Sequence, residues 1–193
     1  MPDGVKYFTT RGGRQLDSLA LGEAARWLVH CQAFDPSGIK TGAVGDERVK
    51  GGRGYPLGPP AWAGTLGLVI AEGTTLFETL ILNLPLMQSG PDDLPVWEAP
   101  PLGPGVQGSH VTPRGAADAL TWPSRRIRVF LNGERVTDVQ ISNGDKLMAR
   151  NQHHVEPMSA WRWSKAQSSP GDDVLMPVTH DPARRLWQGL GPI

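Results

Sequence analysis

The run from Phe34 to Pro56, FDPSGIKTGAVGDERVKGGRGYP, carries glycine at positions 38, 42, 45, 51, 52 and 54, which leaves no room for a long helix or an uninterrupted strand. It also holds the cations Lys40, Arg48, Lys50 and Arg53. Glycine permits positive φ and close backbone approach, and the cations attract phosphate, so the segment is a candidate nucleic-acid surface. Its composition also fits a mobile surface loop with ordinary solubilising charge, and composition alone favours that second reading.

The same punctuation extends along the chain. With 24 Gly and 18 Pro in 193 residues the regular elements must be short, while 39% hydrophobic residues still allow one domain with a core. Lys plus Arg and Asp plus Glu balance at 19 each, so no global field draws DNA or a membrane surface, and nucleic-acid binding has to come from local clustering. The single cysteine, Cys31, excludes a disulfide framework within one chain and reads as a small buried hydrophobe on a helix. MPDGVKYFTTRGG lacks the apolar centre of a signal peptide, and no segment has about 18 uninterrupted apolar residues. A soluble cytoplasmic protein without a membrane partner is expected.

Patterning places the elements. Val5 to Thr9 reads as a short strand and Arg11 to Arg14 as a basic turn. Asp17 or Ser18 can cap a first helix that carries Leu21, Ala24, Ala25, Leu28 and Val29 on one face and stops at Asp35 and Pro36. The glycine run therefore leaves a helix C-terminus, whose dipole repels phosphate, so anion binding must use backbone amides and Lys40. Thr65 to Ala71 reads as a buried strand, and Thr75 with Glu78 has capping-box spacing for a second helix that Pro85 ends. Its apolar side chains, Leu76, Phe77, Leu80, Ile81 and Leu84, suit core or subunit-interface packing.

Residues 89–113 form a Pro/Gly-rich strap. RRIRVFLNGERVTDVQI then gives a hairpin around Asn132 and Gly133, with Ile127, Val129 and Leu131 on one face and Arg126, Arg128 and Phe130 on the other. A turn at Asn143 and Gly144 suggests a third strand through Leu147 and Met148. The expected fold class is α+β, a loop-rich single domain over 1–193 with short mixed or antiparallel strands and two main helices.

Catalytic constellations are weak. Gly38, Ile39, Lys40 and Thr41 mimic the end of a Walker A loop, but Ile39 interrupts the Gly-Lys pair and no strand precedes the segment. None of His30, His110, His153, His154 and His180 has HExxH spacing, and His153 and His154 would face opposite sides of a strand. Asp92 with Asp93 and Asp172 with Asp173 fall in Pro/Gly turns, where carboxylates more often solvate a loop than bind Mg²⁺. No GxSxG elbow is present. The reading is a protein that is not an enzyme and has no cofactor or metal. Trp161 and Trp163 share a face if their segment is a strand, with Arg162 opposite, and the segment suits core tryptophans or base contact alike.

Several strings resemble one family in order: AARWLVHCQAFDPSGIKTGAVGDERVKGGRGYP, WAGTLGLVIAEGTTLFETLILNLP, ALTWPSRRIRVF, RNQHHVEPMSAWRWS and HDPARRLWQGL. They are similar to the CasA family, the large subunit of the type I-E CRISPR effector Cascade. Family members are longer, with a further N-terminal segment and a C-terminal helical bundle, so the chain resembles an internal piece or a truncated product.

The resemblance implies a non-catalytic subunit that surveys double-stranded DNA for the protospacer-adjacent motif. Its implied partners are the other Cascade subunits with their guide RNA, and the Cas3 helicase-nuclease that it helps recruit. A family Gly-rich loop enters the minor groove, where readout is degenerate and depends on close backbone approach. That loop maps onto Ser37, Gly38, Ile39, Lys40, Thr41 and Gly42, with Lys50, Gly51, Gly52 and Arg53 as a second basic loop and Lys165 as the match for an assisting lysine. The family's wedge hairpin would lie beyond Ile193. The alternative expectation is a scaffold that contacts neighbouring subunits or guide RNA without touching DNA.

Overall fold

The computed structural model describes residues 17–55, 67–84, 90–108, 111–156, 158–179, 181 and 183. The expected strand at Val5 to Thr9, the Arg11 to Arg14 turn, Pro85, His110 and His180 lie outside the described residues. In chain order the elements are β1 (Leu19–Ala20), α1 (Leu21–Phe34), β2 (Lys40–Thr41), β3 (Arg53–Gly54), α2 (Leu76–Leu82), α3 (Ala116–Thr121), β4 (Arg125–Asn132), β5 (Arg135–Asn143), β6 (Trp161–Trp163) and β7 (Leu175–Pro177). The strands form a sheet of order β1-β5-β4 and the pairs β2-β3 and β6-β7, all antiparallel. This is the α+β class, with short strands as the glycine and proline content requires.

The β4-β5 hairpin is the long element. Ile127 pairs with Ile141 and Val129 with Val139, so β-branched side chains face each other across the ladder. Asn132 pairs with Arg135, which leaves Gly133 and Glu134 as the loop, with Gly133 at φ +58. Glycine at the first position of a two-residue loop is what a II′-type hairpin turn demands. The third strand of this sheet is β1 rather than a strand through Leu147. Gly144 lies so close to the Pro123 carbonyl that a Cβ would come within 2.6 Å of it, and the chain departs there. Leu147 bridges in parallel to Val111 instead, with Met148 N–H donating to Val111 O at 2.8 Å.

α1 ends where expected, but neither Asp17 nor Ser18 caps it. Ala20 holds the N-cap position without a side-chain bond, because residues 19 and 20 are taken by β1, and the Ser18 hydroxyl accepts from Arg135 Nε at 2.6 Å. The apolar side of α1 is also not a core face. Ala24 is its buried residue, while Leu21, Trp27, Val29 and Phe34 are exposed. Cys31 is half-buried, and burial pushes its thiol pKa up.

α2 forms as expected, with the Thr75 hydroxyl accepting from Glu78 N–H at 3.1 Å. The Glu78 carboxylate accepts from Thr74 N–H at 2.7 Å and from the Thr74 hydroxyl. Core packing is not observed, since no α2 residue is buried and Leu76 and Phe77 are 75% and 72% exposed. The described part of the expected strand at Thr65 to Ala71 makes a single bridge, Leu68 to Ser159, and Val69 and Ile70 are exposed.

A buried hydrophobic cluster lies elsewhere. Ala119, Trp122 and Leu147 pack with Leu102, Val111 and Ala149, and the Trp122 indole donates to Asp145 O at 2.8 Å. α3 belongs to this cluster and was not expected from the sequence. Asp93 caps it from far upstream, accepting from Ala117 N–H at 3.2 Å and Asp118 N–H at 2.9 Å. Asp93 is therefore a buried cap rather than a loop-solvating carboxylate. The strap contains no helix or strand among its described residues, as its Pro/Gly content predicts, and Leu102 fastens it to the core. In β6, Trp161 is half-buried and Arg162 and Trp163 are exposed. No helix among the described residues is long and apolar enough to cross a membrane.

Candidate nucleic-acid interface

The glycine run folds as a clamped hairpin. At its entry, the Gln32 amide of α1 donates to Arg125 O at 2.8 Å and accepts from Arg125 N–H at 3.0 Å. The Arg125 guanidinium, 3% exposed, donates to an Asp35 carboxylate oxygen at 2.7 Å and to the Asp35 carbonyl at 3.2 Å. Lys40 donates to the same carboxylate, 2.7 Å from its nearer oxygen. Burial, the largest influence on Asp35, pushes its carboxyl pKa up, but the bonds and charge of Arg125 and Lys40 together hold it below the usual range.

The middle of the run is fixed by Arg48. It donates to both oxygens of Asp46, at 2.8 and 3.0 Å, to Asp145 at 3.1 Å and to Gly144 O at 2.9 Å. The bonds from Arg48 hold the Asp46 carboxyl low against its burial. At the exit, the Asn143 amide donates to Gly54 O at 3.1 Å and Tyr55 O at 2.9 Å. Sequence reasoning missed this frame because Arg125, Asn143 and Asp145 lie about 90 residues away from what they hold.

Between the clamps, Lys40 pairs with Gly54 and Thr41 with Arg53. Lys50 and Arg53 close the turn with reciprocal backbone bonds of 3.0 and 3.1 Å. Gly51 and Gly52 sit at the tip with φ of +57 and +73, the two left-handed residues that a I′ turn requires. A Cβ on either would meet nothing within 4 Å. Lys50 and Arg53 are exposed and make no ion pair with the described residues.

The sequence-derived site residues thus divide. Lys50, Gly51, Gly52 and Arg53 form one exposed basic turn. Ser37, Ile39 and Thr41 are exposed and Gly38 has open space around its Cα, so these four are accessible. Lys40 is half-buried and committed to Asp35. Gly42 is packed: a Cβ would run into Val49 and come within 3.0 Å of Gly52 O, and Gly42 N–H donates to that carbonyl at 2.9 Å. Lys165 is exposed in the turn after β6, on a separate sheet.

The remaining candidates are structural in their contacts. The His153 and His154 rings approach edge-on at 5.8 Å in a turn rather than facing opposite sides of a strand, and His153 also meets Trp161. Asp172 pairs with Arg150, and Asp173 accepts from the Trp163 indole at 3.1 Å. Among the described residues, no group of three or more His, Cys, Asp or Glu is placed to hold a metal ion.

The fold and its hairpin define a loop-rich α+β domain that presents a clamped, glycine-tipped basic turn. The family model described as CRISPR-associated protein Cse1 matches residues 2–193. The chain belongs to the Cse1 family of CRISPR-associated proteins. It is similar to Thermobifida fusca Cse1, with 45% identity and a TM-score of 0.72 over 94% of this chain and 35% of that one. It is also similar to Cse1 from Acidimicrobium ferrooxidans, with 37% identity and a TM-score of 0.67 over 89% of this chain and 34% of that one. The CRISPR-associated protein CasA/Cse1 of Thermus thermophilus is 33% identical over 144 residues, 72% of this chain and 26% of the relative. The chain therefore spans about a quarter to a third of the length of these relatives.

Proposed function

We propose that this chain is the non-catalytic part of a Cascade subunit that binds target double-stranded DNA and takes part in recognising the protospacer-adjacent motif. In such a complex the guide RNA reads sequence by pairing and the protein reads the motif and the backbone. The Lys50-Gly51-Gly52-Arg53 turn carries this reading. Two cations that make no ion pair with the described residues flank two glycines with open space, a shape that admits backbone to a groove while the cations meet phosphate. Family membership supports the Cascade setting, with neighbouring subunits, guide RNA and the Cas3 helicase-nuclease as partners and the cytoplasm as location.

The test is duplex binding by Cascade reconstituted with this chain and the family regions that it does not span. The double variant Lys50→Ala with Arg53→Ala is expected to lower affinity for all duplexes and to reduce the salt dependence by about two phosphate contacts. Gly38→Leu is expected to weaken binding to correct-motif targets more than to others, because its surroundings are open and its effect on the fold is small. Unchanged affinity in the first variant and an unchanged motif ratio in the second would sink the reading. The scaffold alternative is favoured by one observation, the exposed apolar side chains of α2, and duplex binding that ignores all three substitutions would select it.

A further inference from the structure

We propose that the pocket between the glycine run, the strap and the arginine face of β4-β5 takes one nucleotide of a nucleic-acid strand, with its phosphate on Arg128. The inference deepens the nucleic-acid reading above and rests on it. Register pairs Arg126 with Ser142 and Arg128 with Gln140, so these four share one face of the hairpin. They meet Ala43 and Val44 on one side and Leu102 and Pro104 on the other, around a volume of about 340 Å³. That lies at the small end of the ligand-site range.

Two of the polar groups build the walls. Arg126 donates to Gly103 O at 3.2 Å, Pro123 O at 2.7 Å and Asp145 at 2.7 Å, which ties the strap to the hairpin and matches its own charge. Gln140 donates to Gly42 O at 3.3 Å and so holds the opposite wall. The walls also approach each other closely, since a Cβ on Gly45, at φ +91, would lie only 3.3 Å from Pro104 Cγ.

The other two polar groups are unused. Arg128 is exposed, has no carboxylate partner among the described residues, and lies 5.1 Å over the Phe130 ring. Ser142 is 4% exposed, and its hydroxyl has no hydrogen-bond partner among the described residues although it lines the pocket. A cation at the open rim, a hydroxyl at the closed end and apolar walls match a phosphate, a polar edge and a sugar or base face. The occupant is a nucleic-acid strand rather than an isolated anion because of continuity. Gly42 accepts from Gln140 of the pocket and donates to Gly52 of the basic turn, so one residue joins the pocket wall to the turn that carries Lys50 and Arg53. Arg128, Lys50 and Arg53, none of which makes an ion pair with the described residues, suit the repeating charge of a backbone.

The test uses the 193-residue chain and two probes, the 5′-phosphorylated dinucleotides pTpT and pUpU, followed by amide chemical shifts. Saturable shifts are expected at Ala43, Val44, Gly103 and Ser142, and Arg128→Gln and Ser142→Ala should each weaken dinucleotide binding by about threefold or more. Preference for pTpT assigns the strand to DNA and preference for pUpU to RNA, and either supports the site. Shifts confined to residues 50–53, or variant affinities within twofold of the parent, overturn it. Duplex affinity of Lys50→Ala is measured in parallel. If Lys50→Ala still weakens duplex binding while the pocket fails, the pocket alone is lost; if pocket shifts persist while Lys50→Ala leaves duplex binding intact, the duplex reading alone is lost. Arg128→Lys, which keeps the charge without the planar fork, serves as the second variant should Arg128→Gln alter the unfolding midpoint, and its retained binding supports the site while its failure with intact folding counts against it.

Discussion

Lys40 Nζ lies 2.7 Å from a carboxylate oxygen of Asp35, and the Arg125 guanidinium reaches the same carboxylate at the same distance. The lysine that sequence alone places at the centre of an anion site therefore closes an ion triad at the exit of a helix. Lys40→Ala is expected to cost about 1–2 kcal/mol of stability, the worth of a charge-assisted bond that is still partly wetted. Asp35→Ala should cost about 3 kcal/mol, because it strands the nearly buried Arg125. Denaturant unfolding of the two variants measures this. Equal costs would show that Arg125 finds another partner.

Two carboxyls of the glycine run that are held low give a pH signature. Asp35 and Asp46 titrate lower in the folded chain than their ordinary value of about 4, so their contribution is complete above that pH and is lost as pH falls through the folded values. Stability should hold steady from pH 7 to about 5 and drop more steeply below about pH 4 than in the double variant Asp35→Asn with Asp46→Asn. Parallel slopes in the parent and the double variant would remove these residues from the acid response.

Three glycines of the run are expected to behave differently under substitution. Gly52→Ala places a Cβ at φ +73 and should cost about 1 kcal/mol through the backbone. Gly42→Ala should cost more, because Val49 occupies the space. Gly38→Ala meets nothing within 4 Å and should leave the unfolding midpoint where it is. Thermal unfolding of the three single variants gives the order, and a large loss at Gly38 would contradict the open surroundings described for it.

α2 carries Leu76, Phe77, Leu80, Ile81 and Leu82 more than half exposed, an uncovered apolar helix of the kind that invites association. The chain should bind an apolar dye and associate as concentration rises. Phe77→Lys with Leu80→Glu should reduce both while leaving stability within about 0.5 kcal/mol, since neither side chain is buried. Sedimentation velocity with and without the substitutions decides, and a monomeric parent that ignores the dye would count against it.

What could be read from the sequence was local. The stop of α1 at Asp35-Pro36, the Thr75 cap with Glu78, and the β4-β5 hairpin each follow from residues within one turn of each other. The misses were long-range. β1 displaced the expected cap because it pairs with β5 more than a hundred residues on, and α3 depends on Asp93, which no helical pattern marks. Candidate-site residues were legible as a set but not in their roles. Glycine at positions 38, 42 and 52 looks identical in the sequence, yet one is open, one is packed and one turns the chain. Free and paired lysines are likewise alike until Arg125 is brought beside Asp35.

The glycine run is fastened at its entry by Arg125, at its middle by Arg48 and at its exit by Asn143, and all three anchors join it to β4-β5 or the turn that follows. Glycine content would suggest a flap that moves by itself. These fastenings make the run a handle instead, joined by three side-chain anchors to the hairpin that bears the arginine face.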